Sequence, residues 1–274
     1  MATILVTTHE HDLFEERNFL VAGLFPHFRA RGHEVIVRAG LRDLPDADLA
    51  ILHVDATVIP RRYVDALARY PKVVNGKTLD VGKRTFSENL VGAFDAWKGP
   101  VIVKTNANAG AIPERSHAEL ARAKRQELEP DAPTIVMTGR YPIFPSRADV
   151  PPALALHPEL VIEKFLPERE GNEYASRHWV FFGSAERCNR YTGPHPVIKG
   201  RDVTSRAPVA VPDEIRAWRE RLGFDFGKFD FVVHDGKPVL LDVNRTPTLP
   251  ANLTPVLEAE MEALARGLDA FLPA

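Results

Sequence analysis

A single cysteine, Cys188, is the first scarcity in this chain of 274 residues. One thiol closes no disulfide within the chain, which points to a reducing compartment and removes the disulfide-scaffold classes. Long apolar runs are missing as well: no stretch reaches the roughly 18 residues that a membrane span requires. The opening "MATILVTTHEHD" has no basic segment ahead of a long apolar one, so no secretory signal is read there. Neither sign of charge is in excess. Lysine and arginine number 35 against 37 aspartates and glutamates, a net charge of −2, which marks no surface for nucleic acid or an anionic membrane. No G-x-G-x-x-G follows the first strand, against a dinucleotide-binding Rossmann site. Ser184 and Cys188 lack the setting of a nucleophile elbow or a Cys–His pair, against a hydrolase triad. What remains is the expectation of a soluble, cytoplasmic protein, long enough for two or three lobes around a cleft.

The pattern of what is present divides the chain. "TILVTT" (3–8), "HEVIVRA", "DLAILHVD" and "KVVN" read as short strands. Phe14, Phe19, Leu20, Leu24 and Phe28 recur at helical intervals over 12–32, and another helix is expected at about 60–70. Strands alternating with helices predict a parallel α/β lobe over 1–78. Residues 79–170 hold a predicted helix at 82–97, the strand "VIVK" running into a polar loop, a helix from 115, and the buried strand "LVIEKF". Residues 171–274 read as a hairpin turning at Gly183-Ser184, a helix at 211–223, a second hairpin at 228–244 and a closing amphipathic helix at 253–272. The fold class is therefore α/β and α+β: a parallel N-terminal lobe followed by two lobes built on antiparallel sheets.

The second hairpin carries chemistry. Taken with a three-residue loop His234-Asp235-Gly236, its alternation puts Phe229, Phe231, Val233, Val239, Leu241 and Val243 on one face. The other face then collects Lys228, Asp230, Val232, Leu240, Asp242 and Asn244. A two-residue loop would set Asp230 against Leu241 on the apolar face, at a high desolvation cost. Two carboxylates and an amide oxygen on one face suit a hard cation such as Mg²⁺ completed by phosphates. A solvated strand end with an Asx turn before "RTP" accounts for the same residues. Lys104 ends "VIVK" and Lys164 sits in "LVIEKF"; each is expensive in a buried strand unless paired, snorkelling or facing an anion.

Together these motifs resemble the ATP-grasp enzymes, over about residues 75–250. The resemblance rests on Asp230 in one strand, Asp242-Val243-Asn244 at the end of its partner, and the Pro-containing loop Arg245-Thr246-Pro247. It implies Asp230, Asp242 and Asn244 as ligands of Mg²⁺ (or Mn²⁺), and Lys104 as the central phosphate lysine. Lys83 matches the lysine opening the helix before the nucleotide-binding lobes. "VIEKFLPERE" matches the adenine hinge, with Glu163 and Lys164 near the base, Phe165 and Leu166 supplying backbone and stacking, and Glu170 on the ribose. Two departures stand out. Asp242 replaces the usual glutamate, and the phosphate loop "NANAGAIPE" has Ala111 where a second glycine is expected.

The chemistry implied is activation of a carboxylate by ATP as an acyl phosphate, attacked by an amine or thiol from a small-molecule or peptide substrate. Lys104 is then catalytic, and Arg190, on the strand after Gly183, is the arginine expected to stabilise the acyl phosphate, with Lys199 and Arg201 as lesser candidates. Two alternatives stay open: a small-molecule phosphotransferase, and a nucleotide-binding regulatory protein without turnover. His9, Glu10 and His11 follow the first strand, where open α/β sheets bind ligands; substrate contact is preferred there to zinc, since i, i+2 spacing without a third nearby histidine is poor for a metal. Oligomeric state is left open, a homodimer included.

Overall fold

The computed structural model describes all residues except 127–132, 138–140, 199, 251 and 273–274. Strands β1 (Thr3–Thr8), β2 (Glu34–Ala39), β3 (Leu49–Leu52) and β4 (Val73–Val74) pair in parallel in the order β2–β1–β3–β4. Alternate residues of β1 and β3 are buried on opposite faces: Ile4, Val6, Leu49 and Ile51 beneath α1 (Leu20–Ala30), and Leu5, Ala50 and Leu52 beneath α2 (Arg61–Leu67). Helix α1 starts later than the periodicity from residue 12 predicts. The Asp12 carboxylate takes the amide hydrogens of His9 and Asp55, and Leu20 donates to the Pro247 carbonyl, so 12–19 form an irregular bridge. Phe14 and Phe19 still reach the core that the helical spacing assigned to them.

A small lobe follows. After α3 (Lys83–Phe86), β5 (Val101–Thr105) leads through a turn into α4 (Ile112–Ala123). Strands β6 (Ile143–Phe144) and β7 (Leu160–Lys164), with α5 (Pro152–Ala155) between them, complete an antiparallel sheet in the order β6–β5–β7. Helix α3 is a single turn where 82–97 was expected. Ser87 turns its hydroxyl to Glu163, and Val91 donates to Ile162 O at 2.8 Å, so 89–91 lie along β7 instead. Val101, Val103, Leu160 and Ile162 form a core belonging to this lobe alone.

The remaining sheet has six strands: β8 (Glu168–Glu170), β9 (Glu173–Phe182), β10 (Ala185–Gly193), β11 (Ser205–Pro208), β12 (Phe226–His234) and β13 (Lys237–Asn244). Their order is β11–β10–β9–β12–β13, with β8 alongside β9, and every pairing is antiparallel. Helix α6 (Asp213–Leu222) covers the face of Trp179, Phe181 and Phe229, while α7 (Pro255–Ala265) packs with α1 against Val180, Phe182 and Phe226. No described helix is long and apolar enough to cross a membrane.

The β12–β13 hairpin corrects the expected register. Its loop has two residues, with Asp235 and Gly236 both at positive φ (49° and 76°), and His234 pairs with Lys237. Asp-Gly favours that turn because its twist matches the strands. The predicted cost of setting Asp230 against Leu241 is avoided by a β-bulge: pairing runs Phe231–Leu240, then Asp230–Asp242. Leu241 is the extra residue that re-phases the strand, so Leu240 joins the core face and Asp242 stands directly opposite Asp230.

Candidate active site

Asp230 and Asp242 meet side by side on the face of the large sheet that looks toward the small lobe. Lys228 Nζ lies 3.0 Å from Asp230 Oδ2, and His178, opposite on β9, has Nε2 at 3.8 Å from Asp230 Oδ1. Burial pushes the Asp230 carboxyl up, but His178 and Lys228 outweigh it and hold it below the usual range. Asp230 Oδ1 and Asp242 Oδ1 are both buried without a hydrogen-bond partner. Buried carboxylate oxygens are costly unless a cation faces them, as Lys83 faces Asp242. Asn244 ends β13 beside them, its Oδ1 accepting the Thr246 amide at 2.9 Å. The Asx turn and the shared face thus coexist.

Lysines approach from the other side. Lys83, almost fully buried, places Nζ 3.3 Å from Asp242 Oδ1 and 3.3 Å from the Ala107 carbonyl of the β5–α4 turn. Lys104 pairs with Glu163 at 2.8 Å, and Ser87 donates to the second oxygen of Glu163. Tyr141 lies against this group: burial, then the charge of Asp242, raises its hydroxyl above the ordinary value. The β5–α4 turn holds Ala109, Gly110 and Ala111 at φ 47°, 69° and 65°. A Cβ at Gly110 would run into the Met137 carbonyl, so glycine is required there; Ala111 takes the left-handed backbone that a glycine would take freely.

Other sequence candidates lie elsewhere. Side chains alternate along β7, so Lys164 points away from Lys104 and Glu163, and its Nζ sits 5.5 Å from the centre of the Trp97 ring. Arg190 pairs across the sheet with Arg177, on the face of Trp179 and Cys188 rather than that of His178 and Asp230. There it binds Glu168 at 2.8 Å and Glu170, which is thereby tied to Arg190. The arginine of β10 that shares the Asp230 face is Arg187, ion-paired with Glu260 of α7 at 3.2 Å. Phe165 and Leu166, half-buried, occupy the link between the small and large sheets, with the Phe165 amide on Pro100 O. Lys199 lies outside the described residues, as does the side chain of Arg201.

A second cluster stands at the end of β1, where the sequence pointed to His9, Glu10 and His11 but not to the partnership of Asp12 with His117. Asp12, with a side chain 2% exposed, holds His117 Nε2 at 2.5 Å, and the His117 ring stacks on His9 at 4.1 Å between centroids. Burial raises the Asp12 carboxyl, but the His117 contact outweighs it and lowers the pKa. The neighbouring Asp55 is pushed up to about 6, by burial and then by Asp12. Glu10 runs the other way: burial raises it, yet the Tyr63 hydroxyl and its own backbone bring it to about 2. Asp12 and His117 lie 105 positions apart, so no local signal joins them. They flank a cleft of about 1020 Å³ between the parallel sheet and α4, lined by His9, His11, Arg62, Arg84, Glu114 and His117 among others. A hydrogen-bonded path links the two clusters. Thr246 donates its amide to Asn244 Oδ1 at 2.9 Å and its hydroxyl to Asp55 Oδ1 at 2.6 Å; the Asp55 amide reaches Asp12 Oδ2 at 3.3 Å. Among the described residues no group of three or more His, Cys, Asp or Glu is placed to hold a metal; the Asp230 corner offers two carboxylates and an amide.

No family model matches the sequence, and no curated protein matches it either. Solved structures do match in fold. The ATP-grasp ligase PsnB, complexed with minimal precursor, Mg and ADP, superposes with a TM-score of 0.55 at 13% identity, over 98% of this chain and 96% of that one. The macrocyclase MdnC from Microcystis aeruginosa MRC, bound with precursor peptide MdnA, gives 0.52 at 10% identity, over 96% and 99%. At such identities the likeness is one of fold, and it spans both chains nearly end to end. The parallel lobe, the small antiparallel sheet and the six-stranded sheet are thus arranged as in PsnB, an ATP-grasp ligase.

Proposed function

We propose that this chain is an ATP- and Mg²⁺-dependent ligase that activates a carboxylate as an acyl phosphate for attack by an amine or thiol. The observation that carries this reading is the pair of buried Asp230 and Asp242 oxygens that accept no hydrogen bond, with Lys83 ion-paired to Asp242 and Lys104 on the facing sheet. Asp230, Asp242 and Asn244 fit Mg²⁺, whose charge would neutralise the ATP phosphates and polarise the one transferred. Lys83 and Lys104 contribute fixed positive charge where phosphate charge builds up, and Glu163 holds Lys104 in place. The β5–α4 turn offers backbone from Asn106 to Ala111 against the phosphates. Phe165 and Leu166, at the link between sheets, are assigned to the adenine. Arg187, which shares the Asp230 face of the sheet, is the arginine we assign to the acyl phosphate in place of Arg190. PsnB with Mg and ADP, and MdnC with a precursor peptide, support a nucleotide, Mg²⁺ and a peptide among the acceptors to try.

Product analysis tests the reading. Incubation with ATP, Mg²⁺ and pools of carboxylic acids, amines and peptides should release ADP and inorganic phosphate together with an amide or thioester. ADP with a phosphorylated acceptor would assign a phosphotransferase instead. ATP left intact across all pools would assign a nucleotide-binding protein without turnover.

A further inference from the structure

Glu114 and His117 stand three residues apart on α4, so both project from one side of that helix, and both line the cleft at the end of β1. Two atoms in this lining are buried yet have no hydrogen-bond partner: Glu114 Oε2 and His11 Nδ1. His11 is only 6% exposed, so water cannot freely satisfy it. The other oxygen of Glu114 is fixed by the Thr57 amide at 2.6 Å, which aims the carboxylate. The Asp12 contact commits His117 Nε2 as a hydrogen donor, leaving Nδ1 as the nitrogen able to accept a proton. Stacking on His9, at an interplanar angle of 6°, fixes the plane of the ring. The path through Asp55 and Thr246 ties this dyad to Asn244, and hence to the phosphate end of the proposed site.

We propose that the cleft receives the attacking nucleophile as a primary ammonium held by Glu114, and that His117, oriented by Asp12, is the base that deprotonates it. His117 has this role only if the chain is a ligase, and the partnerless carboxylate oxygen narrows the nucleophile to an amine, since it would repel a thiolate. The ammonium gives one proton to His117 and becomes a neutral amine, whose lone pair forms the C–N bond to the acyl carbon. The C–O bond to phosphate then breaks, and the second amine proton leaves with the phosphate as HPO₄²⁻. The net products are an amide, HPO₄²⁻ and one proton, passed from His117 to solvent. Asp12 stabilises the imidazolium meanwhile and is a positioning residue.

Hydroxylamine separates this role from the ligase reading, because it is unprotonated near neutral pH and traps an acyl phosphate as a hydroxamate without needing a base. Wild-type enzyme, ATP and Mg²⁺ are supplied with pooled amino acids, short peptides and dicarboxylic acids, with and without hydroxylamine. In His117→Ala, hydroxamate formation should stay within about twofold of wild type, while amide formation falls roughly a hundredfold or more and partly recovers with added imidazole. Glu114→Gln should raise the KM for the amine about tenfold and leave hydroxamate formation unchanged. His117→Gln provides a second variant should the alanine not fold. Equal loss of both products in the His117 variants, or unchanged amide formation, overturns the role of His117. Failure of the wild type to form either product overturns the ligase reading and His117 with it.

Discussion

Lys104 and Lys164 belong to adjacent strands of one sheet and differ in the face each occupies. Lys104 points into the gap beside Glu163, whereas Lys164 lies over Trp97 on the far side. Lys104→Ala should therefore weaken Mg-ATP binding by about tenfold or more, the worth of a charge-assisted phosphate contact. Lys164→Ala should change it less than about twofold; calorimetric titration of both variants checks the contrast, and equal losses would contradict the assigned faces. His53 poses a different question. Neither ring nitrogen has a partner, Phe14 and Phe19 pack edge-on against the ring, and burial lowers its pKa from 6.5 to about 4. Between those values the unfolded chain binds the proton and the folded one does not, so this group's contribution falls as pH drops from 6.5 toward 4. At pH 5 the loss is about 2 kcal/mol, taking roughly 1.4 kcal/mol per pH unit. His53→Leu, apolar and near in volume, should remove about that much of the stability difference between pH 7 and pH 5 in urea melts. An undiminished difference would mean that His53 is not buried neutral.

At the scale of elements, the β5–α4 turn and the β12–β13 hairpin hold the site. Ala109 is exposed and left-handed, a conformation costing an L-residue about 1–2 kcal/mol. Ala109→Gly should stabilise the protein by up to about 1 kcal/mol once the greater freedom of the unfolded glycine is subtracted. That is a rise of about 2–4 °C in Tm, read by calorimetry. A lowered Tm would mean that the turn does not hold Ala109 as described. Alternation alone revealed that Asp230, Asp242 and Asn244 share a face, because the penalty for a carboxylate among phenylalanines is large. It missed the bulge at Leu241, since Asp-Gly specifies its own turn and the strand absorbs the mismatch further along. The face of Arg190 depends on how β9 pairs with β12, a contact between segments about fifty residues apart that hairpin spacing does not encode. Helix 82–97 failed for a related reason: its amphipathic pattern suits a strand edge once Ser87 bonds to Glu163.

At the scale of the molecule, the parallel lobe and the six-stranded sheet share one core, in which α1 and α7 pack against Phe182 and Phe226. Arg245, 1% exposed, fastens them further through the carbonyls of Ala56, Thr57 and Thr78. The small lobe has its own core and meets the rest through polar contacts that include Lys83 with Asp242, the Asn108 amide with Thr57 and His117 with Asp12. Asp230 and Asp242 are thus fixed in the larger body while Lys104 rides on the smaller, and a nucleotide between them would draw the two together. The layered order of sheets was legible in the sequence, because strand length and periodicity are local; the histidine–aspartate dyad, assembled from the segment after β1 and from α4, was not. The most direct test of the nucleotide and metal site is anomalous diffraction from a crystal soaked with Mn²⁺ and a non-hydrolysable ATP analogue. The account predicts a manganese peak bonded to Asp230, Asp242 and Asn244, with the phosphates between it and Lys104. Phosphates bound away from Lys104, or an ordered nucleotide whose metal touches neither aspartate, would contradict it.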